Sequence, residues 1–233
     1  MFGVHATSFA VLVGFVVFLA FESYDTSRSG AEAEAELIAQ QFQTAQLLSP
    51  AVRSRISGEI ICYARSVVHQ EWPAMEAGHP PDLNPWGVAM FQSLRSGEPR
   101  SPSEQAAYSK WLDQTTDRQS ARGDRLHGAE GVIPLPLWIV LLLSATVVLG
   151  FMLLFADSAE RAFVQASMMA AIVIVIVSML LLLRFLDDPF ARGIGGLRPV
   201  AMERTVRVLD EQAAIVGRNF RIPCDAQGVA HGG

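Results

Sequence analysis

Three stretches of this chain carry no charged side chain, and they decide what it can fold into. Met1–Phe21, Gly131–Ala156 and Ala162–Leu183 lack Asp, Glu, Lys and Arg throughout. As a helix rising about 1.5 Å per residue, each is long enough to cross about 30 Å of hydrocarbon. A soluble core of this size has no room for three such runs, and 51% hydrophobic residues overall points the same way. The expected fold class is an all-α integral membrane protein. Three transmembrane helices carry a cytoplasmic helical domain inserted between the first and second. In chain order the segments are a span at 1–22, the domain at 23–131, spans at 132–156 and 160–186, and a C-terminal helix with a disordered tail at 187–233.

The first run is read as a retained helix rather than a signal peptide. Met1-Phe2-Gly3-Val4-His5 has no Lys or Arg, and Leu19-Ala20-Phe21-Glu22-Ser23 offers no small-x-small cleavage site. Orientation follows from arginine. Three spans put 22–131 and the segment after Arg184 on one side, with Arg28, Arg118, Arg122, Arg125, Arg184, Arg192, Arg198 and Arg204 near the membrane ends. The opposite side has Arg161 alone, in the 157–161 connection. Positive charge marks the cytoplasmic side, so the large domain and C-terminus are expected there. Residues 22–131 are nonetheless net acidic, with 15 acidic against 10 basic side chains. A nucleic-acid surface is excluded on that ground.

The first helix should continue well past the membrane. Ala31-Glu32-Ala33-Glu34-Ala35-Glu36-Leu37-Ile38-Ala39 is made of strong helix formers, and no proline follows until Pro50. Glu32 and Glu36 share one face while Glu34 points elsewhere. Ser49-Pro50 opens a second helix, with Ile56, Ile60, Tyr63 and Val67 as its apolar face and an interruption at Pro73. A helix over Pro85–Leu94 and another from Ser101-Pro102-Ser103-Glu104 to about His127 follow. In the latter, Arg118, Arg122 and Arg125 form a basic stripe. It either pairs with the acidic Glu32–Glu36 face or lines an anion vestibule. Trp138, Phe155, Phe163 and Phe185 sit near span ends, as interfacial aromatics do. An amphipathic helix over Val200–Val216 precedes a tail, Asp225–Gly233, expected to be disordered.

Chemistry-bearing patterns are few. Cys62 and Cys224 are far apart and are read as two reduced, unpaired thiols. His5, His69, His79, His127 and His231 are scattered without metal-ligand spacing, and no phosphate-binding glycine loop follows a strand. Neither cofactor, metal nor enzymatic activity is expected.

Several landmarks together resemble the bestrophin-like family of small bacterial membrane proteins, distantly related to the bestrophin anion channels. They are Phe15-Val16-Val17 with Ser23-Tyr24-Asp25, the segment Glu32-Ala33-Glu34-Ala35, and Tyr63-Ala64-Arg65-Ser66-Val67-Val68 before Glu71-Trp72-Pro73-Ala74-Met75. Arg122-x-x-Arg125-Leu126 and Leu186-Asp187-Asp188-Pro189-Phe190 complete the series, which covers almost the whole chain. The resemblance implies a homo-oligomer, a pentamer by analogy, around one axial pore with a hydrophobic neck. Phe18, six residues before Tyr24-Asp25, resembles the phenylalanine that ends that neck. The implied pore face is Val11, Gly14 or Phe15, and Phe18. Asp188-Pro189-Phe190 resembles the Asp-Pro-Phe after the last bestrophin span.

Two departures qualify the implied function. Calcium-gated bestrophins follow Pro-Phe with an acidic cluster, whereas Ala191, Arg192 and glycines follow here and no carboxylate returns until Glu203. Family members also usually carry one more helix upstream, so the chain is either truncated or has three spans. Two functions remain. One is an oligomeric channel passing chloride or another anion. The other is a non-conducting scaffold or sensor in the bilayer, whose cytoplasmic helices bind a protein partner. No span holds an acid or base, which argues against a proton-coupled transporter.

Overall fold

In a computed structural model, residues 2–154, 162–193, 195–216 and 221–231 are described. Phe155 and the 157–161 connection, including Ser158 and Arg161, lie outside the described residues, as do Gly232, Gly233 and the side chain of His5. Every regular element among the described residues is helical. In order they are α1 (Phe2–Ala45), α2 (Pro50–Ser66), a π-helical turn (Val67–Glu71), α3 (Trp72–Glu76), α4 (Pro85–Arg95), α5 (Pro102–Leu126), α6 (Leu135–Leu154), α7 (Ala162–Asp187) and α8 (Val200–Val216). Among the described residues three helices are long and apolar enough to cross a membrane: α1, α6 and α7. The chain divides into two compact units, Met1–Asp25 with Gly131–Pro189, and Thr26–Glu130 with Phe190–Gly233.

The first unit holds the N-terminal half of α1 with α6 and α7. One face of α1, made of Phe9, Val13, Val16 and Ala20, is buried with Leu141, Ala145 and Val148 of α6 and Ile176 and Leu183 of α7. The start of α6 has its own cap. Pro134 and Pro136 lack backbone donors, and the free N–H groups of Val132 and Ile133 donate to Asp187 Oδ1 at 2.9 and 2.7 Å. Trp138 Nε1 donates to Asp187 Oδ2 at 3.1 Å, so one carboxylate ties the end of α7 to the beginning of α6. Tyr24 packs on Phe185, ring centroids 5.9 Å apart.

The second unit packs the C-terminal half of α1 against α2, α4, α5 and α8, around Ile38, Phe42, Ile56, Ile60, Tyr63 and Trp111. The helix opening at Ser49-Pro50 does not stop at Pro73. It widens into the π-helical turn and continues through α3 to Glu76. The wider turn makes room for the proline ring, which an α-helix would press against the His69 carbonyl. The turn also leaves Glu71 and Trp72 buried side by side. Asn84 and Ser101 cap α4 and α5, accepting from Trp86 N at 3.0 Å and Glu104 N at 3.2 Å.

Two expectations about the C-terminus are corrected. Cys62 and Cys224 are joined in a disulfide across 162 residues rather than standing as separate thiols. The tail is ordered through His231, because it docks on α2 and α4 instead of leaving the fold. Asp225 accepts from Gln227 N and Val229 N, closing a turn, while Trp86 Nε1 donates to Gly228 O at 2.7 Å. Gly228 is required at that turn. Its φ is +77°, and a Cβ there would sit 2.5 Å from Ser66 N. Spacing alone could not pair the cysteines, because the pairing depends on where this tail lands.

Candidate functional site

A buried ionic network lies inside the second unit, and its geometry begins with a glycine. Gly30 of α1 lies so close to α5 that an added Cβ would meet Arg125 N at 2.5 Å and Ala121 O at 2.8 Å. Ser27, one turn earlier, accepts from Gly128 N at 3.0 Å. With the two backbones this near, the glutamate one turn beyond Gly30 reaches the opposite helix. That residue is Glu34.

Arg125 is fully buried between two carboxylates. Its Nε donates to Glu34 Oε2 and its Nη2 to Glu71 Oε2, both at 2.5 Å. Glu34 Oε1 also accepts from the Tyr63 hydroxyl at 2.5 Å. Glu71 Oε1 accepts from Asn84 Nδ2 at 2.8 Å and Arg122 Nη2 at 3.2 Å. Burial pushes the Tyr63 phenol upward and Glu34 adds to the rise, so the hydroxyl stays protonated and donates. Burial alone would raise the Glu71 carboxyl, but Arg125 and Arg122 hold it below the usual carboxylate value. For Arg125, burial acts against the charge and Glu34 and Glu71 outweigh it. Each carboxylate oxygen of Glu34 and Glu71 therefore accepts from at least one donor, and the network presents no unengaged base. Among the described residues no group of three or more His, Cys, Asp or Glu is placed to hold a metal.

The basic stripe therefore faces inward, but its partners differ from those expected. Glu32 pairs with Arg28 on the same helix at 3.2 Å, with both side chains 60% exposed. Glu36 accepts from Gln40 at 3.0 Å on the solvated side. Pairing across helices falls instead to Glu34, which the alternating Glu-Ala repeat left facing away, and to Glu71, noted only as a family landmark. Arg118 takes neither role. Its guanidinium carbon lies 4.5 Å from the Tyr63 ring centroid, and no carboxylate among the described residues is within ion-pairing distance. The signal that could have singled out Glu34 is the small pair Ser27 and Gly30, three and four residues apart on its own helical face.

The other expected positions fall as follows. In the first unit Val11, Phe15 and Phe18 are 67%, 60% and 61% exposed, and nothing lies within 4 Å of a Cβ built on Gly14. This face is opposite the buried row of Phe9, Val13, Val16 and Ala20. An open groove of about 730 Å³ runs beside it, lined by Gly3, Thr7, Ser8, Val11, Leu12 and Phe15. Asp25 is exposed. Asp188 pairs with Arg184 at 3.4 Å, and Pro189 ends that unit. In the second unit Phe190 meets Trp72 edge-on at 5.4 Å, and Arg192 pairs with Glu76 at 2.7 Å.

No curated protein matches the chain. Solved structures do. Two variants of a bacterial bestrophin homologue from Klebsiella pneumoniae align over 90% of this chain and 85% of theirs, at 15% identity and TM-scores of 0.72 and 0.71. At that identity the likeness speaks for the fold. A family model described as a Bestrophin-like domain matches residues 1–201, which takes in the open face of α1, the ionic network and the Asp-Pro-Phe after α7. The chain belongs to the bestrophin-like family.

Proposed function

We propose that this chain assembles with copies of itself into an anion channel in a bacterial cytoplasmic membrane, with the neck of its axial pore formed by Val11, Gly14, Phe15 and Phe18. The observation that carries the reading is the two-faced first helix. One face is filled by α6 and α7, and the other, apolar and aromatic, is left exposed among the described residues. Membership of the bestrophin-like family supports placing that face around a five-fold axis, by analogy with the bestrophin channels. A ring of Phe18 side chains gates by excluding water, which needs no charge in the span. Phe18→Ala is then expected to raise conductance and loosen selectivity in reconstituted bilayers without changing oligomer size. Leu19, 40% exposed and about 100° around the helix from Phe18, serves as the control. Phe9 does not, being buried. Silence from both the native protein and Phe18→Ala over a range of chloride concentrations would overturn the channel and leave the scaffold or sensor reading.

The proposed orientation, with the large unit cytoplasmic, rests on the eight-to-one arginine distribution. Both native cysteines are buried in one disulfide, so an introduced thiol can be read without removing them. Ser103→Cys, at an exposed site, should resist an impermeant maleimide on intact cells and react after lysis, whereas Ser158→Cys should react on intact cells. The reverse pattern would invert the topology. Gln114 is unsuited to the experiment because it is buried.

A further inference from the structure

The ionic network leaves one charge over. Arg118, Arg122 and Arg125 are three guanidinium groups, and Glu34 and Glu71 are two carboxylates. Arg125 and Arg122 are both ion-paired. Arg118 is not. It is 2% exposed, its Nε has no hydrogen-bond partner among the described residues, and its guanidinium lies over the face of the Tyr63 ring. The Nε of Arg122 is likewise buried without a partner. An uncompensated buried cation costs several kcal/mol. The native protein therefore has reason to hold a counter-ion there.

Space for one exists. Arg118 and Arg122 line a cavity of about 380 Å³ between α2, α4 and α5, with Tyr63, Asn84 and Gly87. Gly87 stands over the guanidinium, where a Cβ would come into ordinary van der Waals contact with Arg118 Nη1 at 3.7 Å and a larger side chain would fill the cavity. The outer wall is apolar, with Leu83, Val88 and Phe91 at 66%, 37% and 49% exposure. Asp82 stands on the same wall, which disfavours a dianion. The volume is far larger than a halide needs, and the apolar rim would give a bare ion nothing.

We propose that this cavity, inside a single chain, binds a small amphipathic monocarboxylate. Its carboxylate meets Arg118, with Arg122 beside it, and its apolar body lies against Leu83, Val88 and Phe91. Planar guanidinium groups suit carboxylate oxygens, and the Tyr63 ring fixes the Arg118 plane. The site is separate from the proposed neck and does not depend on conduction.

Equilibrium binding of acetate, butyrate and benzoate to the full chain in detergent, with benzamide as the uncharged match, tests this. Affinity should rise from acetate to benzoate at one site per chain, and benzamide should bind at least about tenfold more weakly. Arg118→Met should weaken benzoate by at least about tenfold. Gly87→Leu, which fills the cavity and leaves Arg118 in place, should do the same, so the result does not hang on one variant's folding. Absence of carboxylate binding, benzamide binding as tightly as benzoate, or undiminished binding in a folded Gly87→Leu protein would each overturn the proposal. So would chloride or acetate matching benzoate, since the apolar rim would then play no part.

Discussion

Arg125→Met should destabilise the large helical unit by about 3–5 kcal/mol, the range for removing one member of a buried ionic network. The substitution keeps only the apolar stem of the side chain and leaves Glu34 and Glu71 buried with no Arg125 between them. Glu34 would retain the Tyr63 hydroxyl, and Glu71 would retain Asn84 and Arg122. The loss should therefore exceed that of Arg122→Met, whose guanidinium is 14% exposed and reaches only Glu71 Oε1 among the carboxylates. Trp72 offers a built-in reporter, since Arg125 lies 6.0 Å from its ring centroid. Denaturant titration in detergent, followed by tryptophan fluorescence, measures the effect. Adding Glu34→Gln and Glu71→Gln should recover part of the loss, because the uncompensated charges then disappear. A single variant within about 0.5 kcal/mol of the native protein would mean that the network holds little of the fold together. The pH dependence has a definite sign. Glu71 titrates lower in the folded state than in the unfolded chain, so its contribution is complete at neutral pH and is lost as pH falls through the folded-state value.

Why the network escaped the sequence reading while the spans did not is a question of period and tolerance. A membrane span needs only length and the absence of charge, and both are written residue by residue. The extended reach of α1 was equally legible, because the Glu-Ala repeat has no helix breaker. Which glutamate of that repeat turns inward is a finer matter. Glu32, Glu34 and Glu36 are spaced by two, about 200° around a helix, so the repeat puts glutamates on opposite faces and does not say which face turns inward. What fixes the rotation is the close approach at Gly30, a tertiary contact with α5. Glu71 was hidden for another reason. Its inward direction depends on the π-helical turn before Pro73, and an inserted residue shifts the register of everything after it. The basic stripe itself was legible at i, i+4, i+7, but not its division into two paired arginines and one unpaired. In the first span, the helical spacing put Val11, Phe15 and Phe18 on one face, and that face is open among the described residues. Phe9 lies on the packed side, a distinction that composition could not make in an all-apolar run.

Breaking the Cys62–Cys224 bond should cost about 3 to 5 kcal/mol, the upper figure following from loop closure over the intervening chain. The 162 residues it spans would give about 5 kcal/mol if all of them became random coil on unfolding. The apolar helices α6 and α7 lie within that loop and keep their helical form in detergent, which lowers the value. Cys224→Ser should therefore lower the denaturation midpoint strongly. It should also open the tail to protease, since Gln70, Trp86 and Arg65 then hold Gln227, Gly228 and Asp225 by hydrogen bonds to backbone oxygens alone. The compartment makes this bond informative. The arginine distribution argues for the cytoplasm, where exposed disulfides are reduced. Reduction, however, needs a thiolate to reach a sulfur, and here Cys62 is 0% and Cys224 3% exposed. The bond should survive glutathione at cytoplasmic strength while the fold is intact and yield once denaturant is added. The measurement is alkylation with a mass-tagged maleimide in denaturant, on protein drawn from cells under acid quench. No tag without reductant and two tags with it is the expected result. Two tags without reductant would show both thiols free in the cell, and the tail would then be held by its hydrogen bonds and packing alone.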